Sequence, residues 1–198
     1  MDVIFFKRGN TRFGLISKTK IDRNTFLEDH EKQDLLKISH PQRKIEFKGV
    51  RQLRNELIPG ADIFYDSNGK PKTSLIDTYV SVSHSAHSVF MGVSPFPIGI
   101  DIEEIHPRIL KVQSKFAHPE ELIYYSYDMI EDLTLLWSLK ESAYKLCGIS
   151  GLHFKNEIRA VERNNNKHKC IVPIDSGELE FYFEHERIDN EIITYNRT

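Results

Sequence analysis

The sequence predicts an α+β fold, with helical and antiparallel-strand material in each half. Three observations carry this. Each half holds one long segment with helical spacing of apolar residues, and each also holds short runs that alternate at the strand period. Ser94-Pro95-Phe96-Pro97 interrupts both patterns near the middle and reads as a joint, which gives parts of 1–97 and 98–198.

In the first part, Met1 to Phe6 reads as an edge or opening strand, and residues 12–27 mix strand-like and turn-like pieces. His40-Pro41 marks a helix start, with proline near the first helical position. Ile45, Val50, Leu53 and Leu57 give its stripe, which ends before Pro59-Gly60. Asp66-Ser67-Asn68-Gly69-Lys70-Pro71 is dense turn chemistry. Tyr79 to Ser83 and Ser88 to Val93 read as strands around Ser83-His84-Ser85-Ala86-His87.

The second part opens with a strand over Gly99 to Glu103, which His106-Pro107 breaks. Pro119, with Glu120 and Glu121 behind it, signals a helix start. A longer helix is expected from about Ile130 to Cys147, stopped by Gly148. Strands follow at Glu157 to Arg163 and Lys169 to Ile174, flanking three asparagines. The alternating Leu179, Phe181, Phe183 run gives another, and Ile192 to Tyr195 the last.

Composition narrows the function. A 39% hydrophobic and 28% charged chain can bury an ordinary core. Its formal net charge of -2 gives no general attraction to nucleic acid or anionic membrane. Cys147 and Cys170 match no zinc spacing and read as free thiols in a reducing compartment. The opening apolar stretch is short and lacks a basic lead-in, unlike a secretory leader. No run approaches the roughly 18 apolar residues of a membrane helix. A soluble, cytoplasmic protein is expected.

Chemistry concentrates in two segments. In Gly99-Ile100-Asp101-Ile102-Glu103 the strand period sends Ile98, Ile100 and Ile102 to one face and Asp101 and Glu103 to the other. The two carboxylates then stand about 6–7 Å apart along the strand and can grip one hard cation. The plainer reading is a strand showing acids to water. About forty residues on comes Trp137-Ser138-Leu139-Lys140-Glu141-Ser142-Ala143-Tyr144-Lys145. On a helix, Leu136, Leu139, Ala143, Leu146 and Cys147 form one apolar arc. Trp137, Glu141 and Lys145 follow one another along a flank, where Glu141 and Lys145 alone read as a surface pair. Lys140 falls at the edge of the arc and either snorkels or points into a cleft; the single tryptophan beside it favours the cleft. Three acids and two lysines suit a divalent ion holding a phosphorylated substrate. Ser83 and His84 offer hydroxyl and imidazole donors to an anion. No nucleophile elbow, phosphate-binding glycine loop or dinucleotide fingerprint is present.

These segments resemble the signature of the 4′-phosphopantetheinyl transferases. Asn68-Gly69-Lys70-Pro71, Val82-Ser83-His84-Ser85 and Phe116-Ala117-His118-Pro119-Glu120 are similar to three further motifs of that family, in order, with alanine where serine is usual in the last. The resemblance implies transfer of the phosphopantetheine arm of coenzyme A to a serine of an apo acyl or peptidyl carrier protein, releasing adenosine 3′,5′-bisphosphate. It implies that Asp101, Glu103 and Glu141 hold Mg²⁺, with Mn²⁺ as a substitute. Lys145 would neutralise charge on the attacked phosphate, and Glu120 or Glu141 would be the base. Lys70, Ser83 and His84 would bind coenzyme A, His84 at the 3′-phosphate, joined by Lys140 and by Arg43 or Arg51. The length resembles the double form of the family: a monomer of two halves related by a pseudo-twofold, with the active site between them. Residues 1–97 would then carry the coenzyme A motifs and 98–198 the metal motifs. Carrier docking would use exposed apolar residues near Phe116 and after it. Two rivals remain at this point: a metal-dependent nuclease or nucleotide phosphohydrolase, and a non-catalytic carrier-binding module.

Overall fold

A computed structural model describes residues 3–197; Met1 and Asp2 of the expected opening strand, and Thr198, lie outside the described residues. The architecture is α+β, and the chain divides into two compact units, Met1–Pro97 and Ile98–Thr198. Among the described residues, no helix is long and apolar enough to cross a membrane.

The first unit begins with strands β1 (Ile4–Arg8) and β2 (Thr11–Ser17), then a short helix α1 (Asp29–Lys37) and a long one, α2 (Pro41–Leu57). A small hairpin follows, β3 (Ile63–Tyr65) and β4 (Pro71–Thr73), and then β5 (Tyr79–His84) and β6 (Ser88–Ser94). The main sheet runs β1-β2-β6-β5, antiparallel throughout. β6 is buried along its whole length, as a central strand must be. Helix α2 lies on β2 and β6, where Val50, Leu53 and Leu57 meet Ile16, Val89 and Met91.

The second unit runs β7 (Ile100–Glu104), α3 (Ile109–Phe116), α4 (Met129–Cys147), β8 (Arg159–Asn164), β9 (Lys167–Ile174), β10 (Gly177–Ile188) and β11 (Glu191–Asn196). Its antiparallel sheet has the order β7-β11-β10-β9-β8. Asp128 caps α4 by accepting from the Glu131 amide. Gly148 closes it in the left-handed region at φ 68°, open to glycine at no steric cost.

From β2 onward the first unit traces the same path as the second. A strand leads to a short helix, then a long helix, then antiparallel strands, the last of which returns beside the strand before the helices: β6 beside β2, and β11 beside β7. In each the long helix packs on that pair of strands.

Three local expectations are corrected. Helix α3 is absent from the sequence reading because His106-Pro107 reads as a strand breaker, yet proline opens a helix as readily as it ends a strand. The segment after Pro119 makes only one tight turn at Glu121–Ile123. The Glu121 side chain is drawn inward there to the His118 amide, the Ala160 amide and Lys140, so the chain turns and does not continue helically. Finally, α4 is not one-sided: Asp132, Thr134, Ser138, Lys140 and Ser142 are buried along with its apolar arc.

Candidate active site

Strand β7 and helix α4 build the site by close approach. A Cβ on Gly99 would be driven into the Ser142 carbonyl oxygen and would lie 2.8 Å from the Leu146 amide, so only glycine lets the strand start this near the helix. Small polar residues line the same seam: Ser138 and Ser142 of α4 meet the Thr194 hydroxyl of β11 at 2.9 and 2.6 Å. The motif's small residues thus have a packing role that spacing alone did not reveal.

Asp101 and Glu103 are not the solvent-facing acids of an ordinary strand. Asp101 is only 2% exposed, and Glu103 is half-buried. Both reach α4. Lys145 Nζ donates to Asp101 Oδ1 at 2.8 Å and to the Ile100 carbonyl at 3.1 Å. Trp137 Nε1 donates to Glu103 Oε1 at 2.9 Å. Trp137 and Lys145 are two helical steps of four apart, and Glu141 sits midway on the same flank. The strand's acid pair therefore lies along the helix's indole–carboxylate–ammonium row.

This row is electrostatically loaded. Burial pushes Glu103 up to about 8, with the Asp101 charge adding to it; the Trp137 hydrogen bond and Lys145 oppose, while Glu141 adds a further push. Burial likewise raises Glu141 to about 7, with Asp101 adding and Lys145 opposing. Three carboxylates that feel one another in a half-dry setting are poised for a counter-charge greater than one lysine provides. Among the described residues, no group of three or more His, Cys, Asp or Glu side chains is arranged to hold a metal ion, so the three expected ligands do not by themselves make a site. That does not disqualify Mg²⁺, which usually takes one or two carboxylates and draws its other ligands from substrate phosphate and water. The donor set is all oxygen, of the kind Mg²⁺ prefers.

Two expected coenzyme A contacts are corrected. Lys140 is fully buried, and its ammonium is consumed by Glu121 at 2.7 Å and by the Phe116 and Phe154 carbonyls at 2.7 and 2.9 Å. It neither snorkels nor enters a cleft, and it has no donor to offer a ligand. Its partner Glu121 carries no motif signal, since the resemblance falls on the neighbouring Glu120. Arg51 is buried in the first unit, where it and Arg54 clasp Glu31 at 3.0 and 2.9 Å and Arg51 covers the Phe47 ring. It belongs to that unit's core. Arg43, at the start of α2, is exposed.

The two base candidates also separate. Glu120 is exposed and bonded to Arg159 at 2.7 Å, which holds its carboxyl below the usual range. Burial moves Glu141 the other way, up to about 7.

In the first unit, Lys70 follows the Asp66–Gly69 turn between β3 and β4; Asp66 Oδ1 accepts from its amide at 2.9 Å. Ser83 and His84 end β5, Ser83 buried and His84 exposed. Ser85 Oγ accepts from the His87 and Ser88 amides at 3.0 Å each, shaping the turn into β6.

Carboxylates paired across a strand and helix with a lysine among them suit chemistry on phosphate esters and anhydrides, where positioning and charge stabilisation dominate. Residues 97–195 match the 4′-phosphopantetheinyl transferase superfamily, and the chain belongs to that family. It is 29% identical over 139 residues to a 4′-phosphopantetheinyl transferase of Aneurinibacillus migulanus, covering 63% of this chain and 58% of that protein. Over 122 residues it is 30% identical to the 4′-phosphopantetheinyl transferase of Bacillus subtilis, covering 56% and 51%. A Bacillus pumilus 4′-phosphopantetheinyl transferase is 33% identical over 108 residues, covering 50% and 46%. The chain thus spans about half the length of the curated relatives it matches.

Proposed function

We propose that this chain moves the 4′-phosphopantetheine arm of coenzyme A onto a serine of an apo acyl or peptidyl carrier protein, releasing adenosine 3′,5′-bisphosphate. The observation that carries the reading is the cross-tie of Asp101 and Glu103 to Lys145 and Trp137 with Glu141 between them. Family membership and the names of the three relatives support it.

Asp101, Glu103 and Glu141 are the residues that would hold Mg²⁺ or Mn²⁺; the ion, when bound, offsets the charge of the pyrophosphate. Glu141 takes the proton of the carrier serine, and Lys145 lies against the phosphate under attack. In the first unit, Lys70, Ser83, His84 and Arg43 contact the nucleotide end of coenzyme A. Exposed Ile123, Tyr124 and Tyr127, shortly after Phe116, supply apolar surface for the carrier. The protein works as a cytoplasmic monomer.

Intact-protein mass spectrometry tests this. An apo-carrier incubated with the chain, coenzyme A and Mg²⁺ should gain the mass of one phosphopantetheine. Adenosine bisphosphate released without a carrier would indicate a hydrolase, and a carrier bound but unchanged in mass would indicate a binding module.

A further inference from the structure

The proposed chemistry leaves one charged residue of the Trp137–Lys145 segment without a task. Lys140 is fully buried, although a buried ion pair adds little stability over well-packed apolar side chains. What an apolar residue could not do is bind three acceptors at one point. The ammonium has three N–H donors, and the Glu121 carboxylate and the Phe116 and Phe154 carbonyls take them. Phe116 ends α3, where helix carbonyls run out of partners within their own helix. Phe154 lies in the loop between α4 and β8. Glu121 is itself anchored by the His118 and Ala160 amides at 2.7 and 2.8 Å. One ammonium thus ties the end of α3 and the loop after α4 to helix α4.

The two residues whose carbonyls it holds turn their rings onto the same side chain. The Phe116 ring meets the Trp137 indole edge-on, with centroids 5.2 Å apart and planes at 67°. The Phe154 ring stacks on it, also at 5.2 Å, with planes at 28°. Aromatic pairs favour both arrangements. Trp137 is only half-buried, so in another rotamer water could satisfy its N–H. The ring contacts select the rotamer in which Nε1 donates to Glu103 Oε1 at 2.9 Å.

We propose that Lys140 is a positioning residue of the site: it fixes the Phe116 and Phe154 backbones, their rings hold Trp137, and the indole N–H sets the Glu103 carboxylate. The functional part of this inference rests on the proposed transfer reaction; the tie itself does not. All three Lys140 donors are used within the fold, so its effect falls on the rate of transfer and not on coenzyme A affinity.

The test uses the Lys140→Met, Glu121→Gln double variant, which removes the tie without leaving a buried charge. Because the chain has a single tryptophan, a proton–nitrogen correlation spectrum holds one indole N–H resonance. Glu103→Ala marks where that resonance lies once the indole has lost its acceptor. The double variant should move it toward that position. It should also lower kcat for mass gain on an apo-carrier by at least about tenfold, the loss expected when a group that orients a functional side chain is removed, with KM for coenzyme A unchanged. Phe154→Leu keeps the buried pair and thins only the ring contact. It should move the resonance the same way, and it carries the test if the double variant does not fold. A resonance that stays at its native position, or a native kcat beside a displaced resonance, overturns the inference. If the resonance moves but neither the native protein nor the variants add mass to a carrier, the transfer reaction falls and the tie stands.

Discussion

Lys145 of α4 and Asp101 of β7 are joined at 2.8 Å across 44 residues of sequence. The site depends on this tertiary contact, because neither strand nor helix alone brings an ammonium to an acid pair.

Replacing Glu141 with Gln, or Asp101 with Asn, keeps shape and removes charge. Each variant should lower phosphopantetheine transfer by at least about a hundredfold, in line with losing one charge-stabilising group. Circular dichroism should show an unchanged fold. Full activity in either variant would withdraw the proposed metal ligands.

Lys140→Met removes the near cation of buried Glu121 and leaves it Arg159 at 3.9 Å and two backbone amides, and urea unfolding should show a loss of about 3 kcal/mol. Adding Glu121→Gln should recover much of that loss. The double variant should bind coenzyme A with native affinity, because the Lys140 donors are all taken within the fold; a drop in that affinity would restore it as a binding residue.

Gly99→Ala forces a methyl group into the α4 backbone. The strain should cost about 1–3 kcal/mol or more and push β7 away from the helix. Activity should fall further than in Gly14→Ala, which meets only the side chains of Leu53, Phe5 and Leu57 in the other unit. Equal effects on activity would mean that the close approach of β7 to α4 serves stability alone.

His168 supplies a pH prediction. It is buried between the Tyr125 hydroxyl at 2.9 Å and His185 at 2.8 Å. Burial, then His185 and Arg163, depress it to about 3, against 6.5 for the free side chain. Between those values the unfolded chain binds the extra proton, so stability is whole above about pH 6.5 and drains away as pH falls toward 3. At pH 5 the loss is about 2 kcal/mol. Chemical denaturation of His168→Gln should show this acid slope flattened; a slope equal to the native one would assign the sensitivity elsewhere.

Much of this was written in local patterns. The stripe of Leu136, Leu139 and Ala143, ended by Gly148, marked α4 to within a residue. Alternation marked β10, the run Ile192 to Tyr195 marked β11, and the i, i+4, i+8 order of Trp137, Glu141 and Lys145 gave the flank that meets β7. What escaped was long-range charge pairing. Glu121 with Lys140, and Glu31 with Arg51 and Arg54, join residues about twenty apart, and such pairs leave no period in the sequence. Seen alone, Arg51 and Lys140 look like ligand-seeking cations; each is instead a buried partner of an acid that only the fold reveals. The burial of Asp101 was hidden likewise, because an alternating strand commonly turns its acids to water.

Trp137 is the chain's single tryptophan, and its indole N–H is bonded to Glu103. Its intrinsic fluorescence therefore reports on one carboxylate without any label. A cation that captured Glu103 would compete for the oxygen the indole now holds, and emission wavelength would register occupancy during titration and turnover alike.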